Sequence, residues 1–234
     1  MRVRTPRDVG PSRWEIPDPQ RADPDGVVGV GADLQPATLV AAYRNGVFPW
    51  PHEGMSLPWF SPHPRAVIWA NGIHVSRSLR RTLRRSAWTT TLDTAFRTVV
   101  DHCARDRGDG TWITPEMSAA YGRLHDAGWA HSLEVWQGDD LIGGVYGVLV
   151  GGVFTGESMF HHVGDASKAA LVDLCSRLDE AGGSWLDVQL PTQHLLSMGA
   201  EQWPRALFLR RLMSVRDDLV RPVATRLEVA RLVP

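Results

Sequence analysis

A chain of 234 residues, 43% hydrophobic and 22% charged, can bury a sizeable core as one large domain or two small ones. Its formal net charge of −1 excludes a molecule coated in positive charge, so any surface for a polyanion must be local. The two cysteines, Cys103 and Cys175, are far apart and lack CxxC or Cys/His ligand spacing, which argues against a disulfide scaffold or zinc site and for a reducing cytosol.

No apolar run follows Met1-Arg2-Val3-Arg4-Thr5-Pro6, so no signal peptide is expected, and no stretch approaches bilayer-spanning length. The expectation is a soluble, cytoplasmic protein. Residues 1–64 are dense in Pro, Gly and Trp, with a turn signature at Asp23-Pro24-Asp25-Gly26 and a short helix over Pro36–Tyr43 ending near Asn45-Gly46. Phe48–Pro51 and Pro58–Pro62 read as an aromatic, proline-stiffened loop. A strand over Arg65–Trp69 precedes helices over Ser76–Ser86, Leu92–Arg105 (Asp93 in its first turn) and Thr114–Ala127, with Thr114 as cap. From His131 the pattern turns to a glycine-punctuated meander of strands at His131–Trp136, Leu141–Val150 and Val153–Phe160. An amphipathic helix over Asp165–Ala181 with an acidic N-cap follows, then an apolar strand carrying Asp187 and Gln189. A short helix near Gln193–Met198 and a last one around Leu207–Val215 complete the pattern.

Four features could carry chemistry. In an unbroken strand Asp187 and Gln189 project from one face, offering a proton acceptor and an amide, or else simply a polar pair on an exposed edge. Along Ser76–Arg85, Arg77, Arg80, Arg81, Arg84 and Arg85 fall within roughly 140° of one helix face, opposite Val75, Leu79 and Leu83. A solvated helix normally mixes signs, so this stripe favours phosphate binding over a bland surface. Trp50, Trp59, Phe60 and Trp112 in or beside loops form a candidate platform for stacking an unpaired base, although any single Trp is more often core. Glu157 follows apolar and small residues, where a carboxylate is either paired structurally or recognises a cationic or polar substrate. Gly29 and Gly31 give a lone GxG, and neither GxSxG nor HExxH occurs.

Taken in order, several segments resemble one family closely. They are Gly29–Leu34, Ala42–Trp50, Ser61–Arg65, His74–Ser78 with the arginines that follow, Gly110–Thr114 and His131–Trp136. Gly156–Phe160, Asp165–Lys168 and Asp187-Val188-Gln189 with His194 continue the match, which runs from about Gly26 to about Arg211. The chain resembles the bacterial leucyl/phenylalanyl-tRNA–protein transferases. It departs from their pattern at His63, where an acidic residue is common, at Phe60, where a second Trp is common, and in the loop Pro51–Leu57. The stretch after Arg216 matches nothing in that pattern.

The resemblance implies an α+β protein. A small N-terminal α/β domain (1–62) would precede a GNAT-like acyltransferase domain (63–234) with a mixed, largely antiparallel sheet flanked by helices. It implies transfer of Leu or Phe, and less readily Met, from aminoacyl-tRNA to proteins with N-terminal Arg or Lys, marking them for N-end-rule degradation. No cofactor or metal is implied. Asp187 and Gln189 would be catalytic, with the identity of the base open. Glu157, Trp50, Trp112, Tyr43, Tyr121, Phe154, Met159 and Thr192 would bind substrate, Trp50 and Trp112 at the terminal adenosine and Phe154 and Met159 at the donor side chain. Asp187 and Glu157 could also face the acceptor's cationic side chain, and the five arginines would hold tRNA phosphates.

Two rivals sit in this fold, a CoA-dependent N-acetyltransferase and a tRNA-dependent enzyme acting on cell-wall peptides. The stretch His161–Lys168 is a poor match to a pyrophosphate loop, which weighs against CoA. A non-catalytic tRNA- or degron-binding module is the third alternative, and it would tolerate loss of Gln189.

Overall fold

The computed structural model describes residues 2–105 and 111–233. Near the N-terminus, β1 (Val27–Val30) and helix α1 (Pro36–Arg44) lead into β2 (Phe48–Pro49) and β3 (Pro58–Phe60), and the strands form a small antiparallel sheet in the order β1-β3-β2. The expected aromatic loop is therefore partly strand. Proline is tolerated because Pro49 and Pro58 fall at strand ends, where no interior ladder donor is lost. Trp59 is 5% exposed and its indole N–H donates to the Gly31 carbonyl at 2.7 Å, so it is core and no stacking platform.

Beyond this sheet the chain continues through β4 (Arg65–Trp69), α2 (Arg77–Arg85), β5 (Trp88–Leu92), α3 (Phe96–Arg105) and α4 (Pro115–Asp126). The meander is β6 (Ala130–Gln137), β7 (Asp140–Val150) and β8 (Val153–His161), followed by α5 (Ala166–Glu180) and β9 (Trp185–Gln189). Then come α6 (Gln193–Ser197), β10 (Glu201–Trp203), α7 (Arg205–Val215) and β11 (Leu227–Glu228). The large sheet runs β10-β4-β9-β8-β7-β6-β5-β11, and only β8 and β9 pair in parallel. A parallel pair needs a crossover, and α5 provides it. No helix among the described residues is long and apolar enough to cross a membrane.

Of three hydrophobic clusters among the described residues, the smallest packs α7 on β4, β8, β9 and β10, and two larger ones also lie against the large sheet. One contains Leu79 and Leu83 of α2 and the apolar side of α5. The other gathers α1, α3 and α4 around Tyr121, Tyr146 and Phe160. Close approach demands glycine at two points. A Cβ on Gly143 in β7 would lie 2.7 Å from the Ala166 methyl of α5, and one on Gly46 (φ +73°) would lie 2.6 Å from Leu209 of α7.

Two sequence expectations fail locally. The helix expected from Leu92 starts only at Phe96, because the Trp88–Leu92 run of β-branched residues pairs with β6. Asp93 sits between them at φ +60°, its carboxylate accepting from Ser132 N at 3.1 Å and contacting the His131 imidazole at 2.8 Å. Asp165 stands at the N-cap of α5 but makes no capping bond; at φ +70° it turns its carboxylate to Lys168 Nζ (2.8 Å) and Thr82 Oγ1 (3.1 Å). The segment after α7 returns to the sheet, where β11 pairs with Thr89 and Thr90 of β5 and covers that edge.

Candidate active site

The site forms where β8 and β9 part. Their pairing ends at Thr155 opposite Asp187, although both strands continue. Each strand carries a bulge there. Tyr146 pairs with Ser158 and Gly147 with Gly156, so Glu157 is the extra residue of β8; Val67 pairs with Asp187 and Ala66 with Gln189, so Val188 is the extra residue of β9. Bulges re-aim side chains. With Gln189 also at φ +64°, the simple same-face alternation of Asp187 and Gln189 expected from their spacing is lost.

Asp187 turns inward and is 1% exposed. Arg65 Nε donates to its Oδ1 at 2.8 Å and Arg65 Nη2 to its Oδ2 at 2.7 Å. Thr155 Oγ1 donates to Oδ2 at 3.2 Å, and the Gln189 backbone N–H to Oδ1 at 3.1 Å. Four donors occupy this carboxylate, so Asp187 has neither the exposure nor a free lone pair to take a proton from a substrate or face its cationic side chain. It instead fixes the backbone of Gln189. Arg65 is equally committed, with Nη1 donating to the Gly46 carbonyl at 3.1 Å and its guanidinium between the Phe48 and Phe208 rings (4.9 and 4.5 Å). Sequence reasoning missed Arg65; the available signal was a single arginine opening a strand whose next residues, Ala66-Val67-Ile68, are fully apolar.

Glu157 is 8% exposed. Tyr43 Oη donates to Oε1 at 2.8 Å, Tyr121 Oη lies 2.7 Å from Oε2, and Gln189 Nε2 donates to Oε1 at 3.1 Å. Burial pushes its pKa up to about 7; the tyrosine hydrogen bonds pull against burial, Asp187 adds to it and Arg65 opposes it. Tyr43 and Tyr121, expected to touch substrate, are themselves fully buried, and burial with the neighbouring Glu157 holds both phenols well above their ordinary range.

A cleft of about 40 Å³ opens beside this carboxyl, lined by Phe48, Pro49, Trp50, Trp112, Glu157, Gln189 and Leu190. It thus brings together four of the expected residues, Trp50, Trp112, Glu157 and Gln189. Phe60 packs edge-on against Trp50 at 5.5 Å and His52 lies 5.3 Å from it, which holds the indole in place. Other expected residues lie elsewhere. Phe154 is 1% exposed, in the α5-covered cluster, and half-buried Met159 packs against that cluster, so neither lines the cleft. Thr192 is exposed, and its hydroxyl caps α6 by accepting from Leu195 N at 3.3 Å. Gly110 lies outside the described residues. Among the described residues no group of three or more His, Cys, Asp or Glu side chains is arranged to hold a metal.

Helix α2 buries Leu79 and Leu83 and turns Arg77, Arg81, Arg84 and Arg85 to solvent, with Arg80 half-buried. Ser76 caps it by accepting from Leu79 N at 3.2 Å, and Thr82 ties it to Asp165. Among the described residues no carboxylate pairs with Arg77, Arg80, Arg81 or Arg85.

A mixed sheet that opens between two parallel strands onto a cleft with Glu157 and Gln189 in its wall, after a small three-stranded N-terminal sheet, is the architecture of an acyltransferase-like enzyme. Residues 67–213 match the model of the leucyl/phenylalanyl-tRNA protein transferase family, and residues 32–63 match the model of that family's N-terminal domain. The chain belongs to the leucyl/phenylalanyl-tRNA–protein transferase family. Relatives of that name include one from Edwardsiella ictaluri (strain 93-146), 46% identical over 209 residues covering 88% of this chain and 86% of the relative. One from Solidesulfovibrio magneticus is 48% identical, covering 87% and 83%. Another, from Myxococcus xanthus (strain DK1622), is 49% identical, covering 88% and 89%. The solved structure of L-PGS from Bacillus licheniformis superposes with a TM-score of 0.41 at 11% identity, over 63% of this chain and 48% of that one, a likeness too distant to carry an argument.

Proposed function

We propose that the protein transfers Leu or Phe, and less readily Met, from aminoacyl-tRNA to the α-amine of proteins with N-terminal Arg or Lys. The product would carry an N-end-rule degradation signal, and the reaction would run in the cytoplasm. The observation that carries this reading is the Gln189–Glu157 contact across the parted strands, in a cleft flanked by Trp50 and Trp112. An amide held by a carboxyl suits an incoming amine, and the two indoles suit an unpaired adenine.

In this reading the α-amine nitrogen, whose pKa is about 8 when free, attacks the ester carbonyl carbon. A C–N bond forms, the ester C–O bond breaks, and the amine's proton leaves with the ribose hydroxyl of the tRNA. The ester is already activated, so positioning supplies much of the rate. Gln189 accepts a hydrogen bond from the amine, and Asp187 acts on it through the backbone of Gln189. A cationic first residue faces the carboxyl of Glu157, which lines the cleft. The arginine face of α2 holds phosphates of the tRNA. We place the boundary between the two domains after residue 62, where the chain leaves the three-stranded sheet for β4.

The test is transfer of radiolabelled Leu from charged tRNA to an Arg-initiated peptide, with none to an Asp-initiated one. No transfer to either, with the charged tRNA intact, would overturn the reading.

A further inference from the structure

Three oxygen–oxygen contacts close a triangle behind the cleft. Tyr43 Oη lies 2.7 Å from Tyr121 Oη, Tyr43 Oη 2.8 Å from Glu157 Oε1, and Tyr121 Oη 2.7 Å from Glu157 Oε2. Each contact at such a distance needs a proton between its oxygens, and the two phenols supply only two. With Glu157 ionised, both phenol protons point at the carboxylate. The two phenol oxygens are then left lone pair to lone pair at 2.7 Å in a buried site. A third proton, on Glu157, removes that conflict.

We propose that Glu157 rests as a neutral carboxylic acid in a closed hydroxyl ring with Tyr121 and Tyr43, and that this ring positions the amide of Gln189. The ring has a direction. Oε1 receives both the Tyr43 hydroxyl and Gln189 Nε2, so it is the carbonyl oxygen of the acid. The acid proton therefore sits on Oε2 and is donated to Tyr121; Tyr121 donates to Tyr43, and Tyr43 closes the ring at Oε1. Because Oε1 only accepts, Gln189 must present its N–H to Glu157. Its carbonyl oxygen is left for the cleft, where, on the reading that an α-amine is bound there, it accepts from that amine.

The surrounding charges are consistent with a stored proton. Burial is the largest influence on Glu157; Asp187 of β9 works in the same direction, and Arg65 of β4 opposes it. Tyr146 of β7 packs against Tyr121 at 5.4 Å and holds the proton of both ring phenols more tightly. The ring members come from α1, α4 and the bulge of β8, so the device requires all three elements. Glu157 is a positioning residue here: it acts on the amine through Gln189.

Infrared difference spectra taken on either side of pH 7 test the proton directly. The wild-type protein should lose a carboxylic-acid C=O stretch as the pH rises, and the part of that signal missing from Glu157→Gln is the Glu157 acid. The comparison also subtracts Glu134, which burial likewise pushes up to about 7. Identical difference spectra for the two proteins would overturn the ring. In the transfer assay, Glu157→Gln can replace the acid O–H with an amide N–H and keep the ring closed, whereas Glu157→Ala cannot. Transfer by Glu157→Gln should exceed that by Glu157→Ala about tenfold or more; equal rates would remove the positioning role. The infrared measurement uses no substrate. A wild-type protein that shows the acid band but transfers nothing overturns the proposed reaction and leaves the ring standing.

Discussion

Arg65 and Asp187 form a bidentate ion pair against the backbone of Gln189, with both side chains 1% exposed. Two parallel N–H···O contacts join them, and the remaining lone pairs of the carboxylate are taken by Thr155 and the backbone of Gln189. The charge of Asp187 is thus already compensated, and Glu157 and Gln189 are the polar side chains that line the cleft.

Breaking this pair from one side leaves a buried charge without a partner. Arg65→Met should cost about 3–5 kcal/mol of folding stability, read from urea unfolding. The double variant Arg65→Met with Asp187→Leu should recover most of that loss, because two apolar groups carry no uncompensated charge. A single variant as stable as the wild type would show that the pair contributes nothing to holding β4 against β9.

Gln189→Ala removes the side chain that donates to Glu157 across the parted strands and leaves the fold beneath it intact. Peptide transfer should fall about tenfold or more, with tRNA binding retained. Unchanged turnover would place the chemistry elsewhere.

The helices and the meander were legible because each has a period or a punctuation of its own. Thr114 before Pro115 and Ser76 before the arginines mark helix starts by local chemistry that survives folding. The bulges at Glu157 and Val188 have no such local mark, since they arise from how β7 and β4 pair with their neighbours. Counting by twos therefore gave one shared face to Asp187 and Gln189. Trp50, Trp112, Glu157 and Gln189 could be named from the family pattern, and they meet at one cleft. The pattern could not say that Tyr43 and Tyr121 stand behind Glu157, because burial is a property of the packed layers, with α1 against β7 and α4 against β6 and their tyrosines reaching Glu157 of β8.

Glu157 makes stability depend on pH. Its folded pKa of about 7 lies above its ordinary 4.5, so between these values the folded state holds a proton the unfolded chain has released. The contribution is fully present below 4.5 and is lost as the pH rises through 7. Relative to Glu157→Gln, which cannot ionise, the wild type should lose up to about 3 kcal/mol across that window. Urea unfolding of both proteins along a pH series measures the gap; a constant gap would mean that Glu157 is already ionised in the folded state.

The arginine face of α2 makes a separable prediction. Replacing Arg80, Arg81 and Arg84 together by Gln keeps helix propensity and the buried Leu79 and Leu83, so the fold should survive. Affinity for tRNA should fall, and the slope of log affinity against log salt should flatten by roughly two to three, about 0.7–0.9 per lost phosphate contact. An unchanged slope would make this helix a solvated face and nothing more.

The stretch beyond Arg216, without counterpart in the family pattern, is tied to α5 through one buried arginine. Arg177 of α5 is 1% exposed. It donates to Asp173 Oδ2 at 2.6 Å, to the carbonyls of Val223 (2.6 Å) and Thr225 (3.0 Å), and to Thr90 Oγ1 at 3.0 Å. Arg231 binds the other oxygen of Asp173, while Val229 and Val233 are buried against the core. Arg177→Met removes the hub and strands Asp173 with a single partner. The expected cost is about 3–5 kcal/mol, with the tail released from β5 before the rest of the fold gives way. Limited proteolysis should then cut between Arg216 and Arg226 under conditions where the wild-type tail is protected. Equal protection in both proteins would show that β11 and the buried valines hold the tail without Arg177.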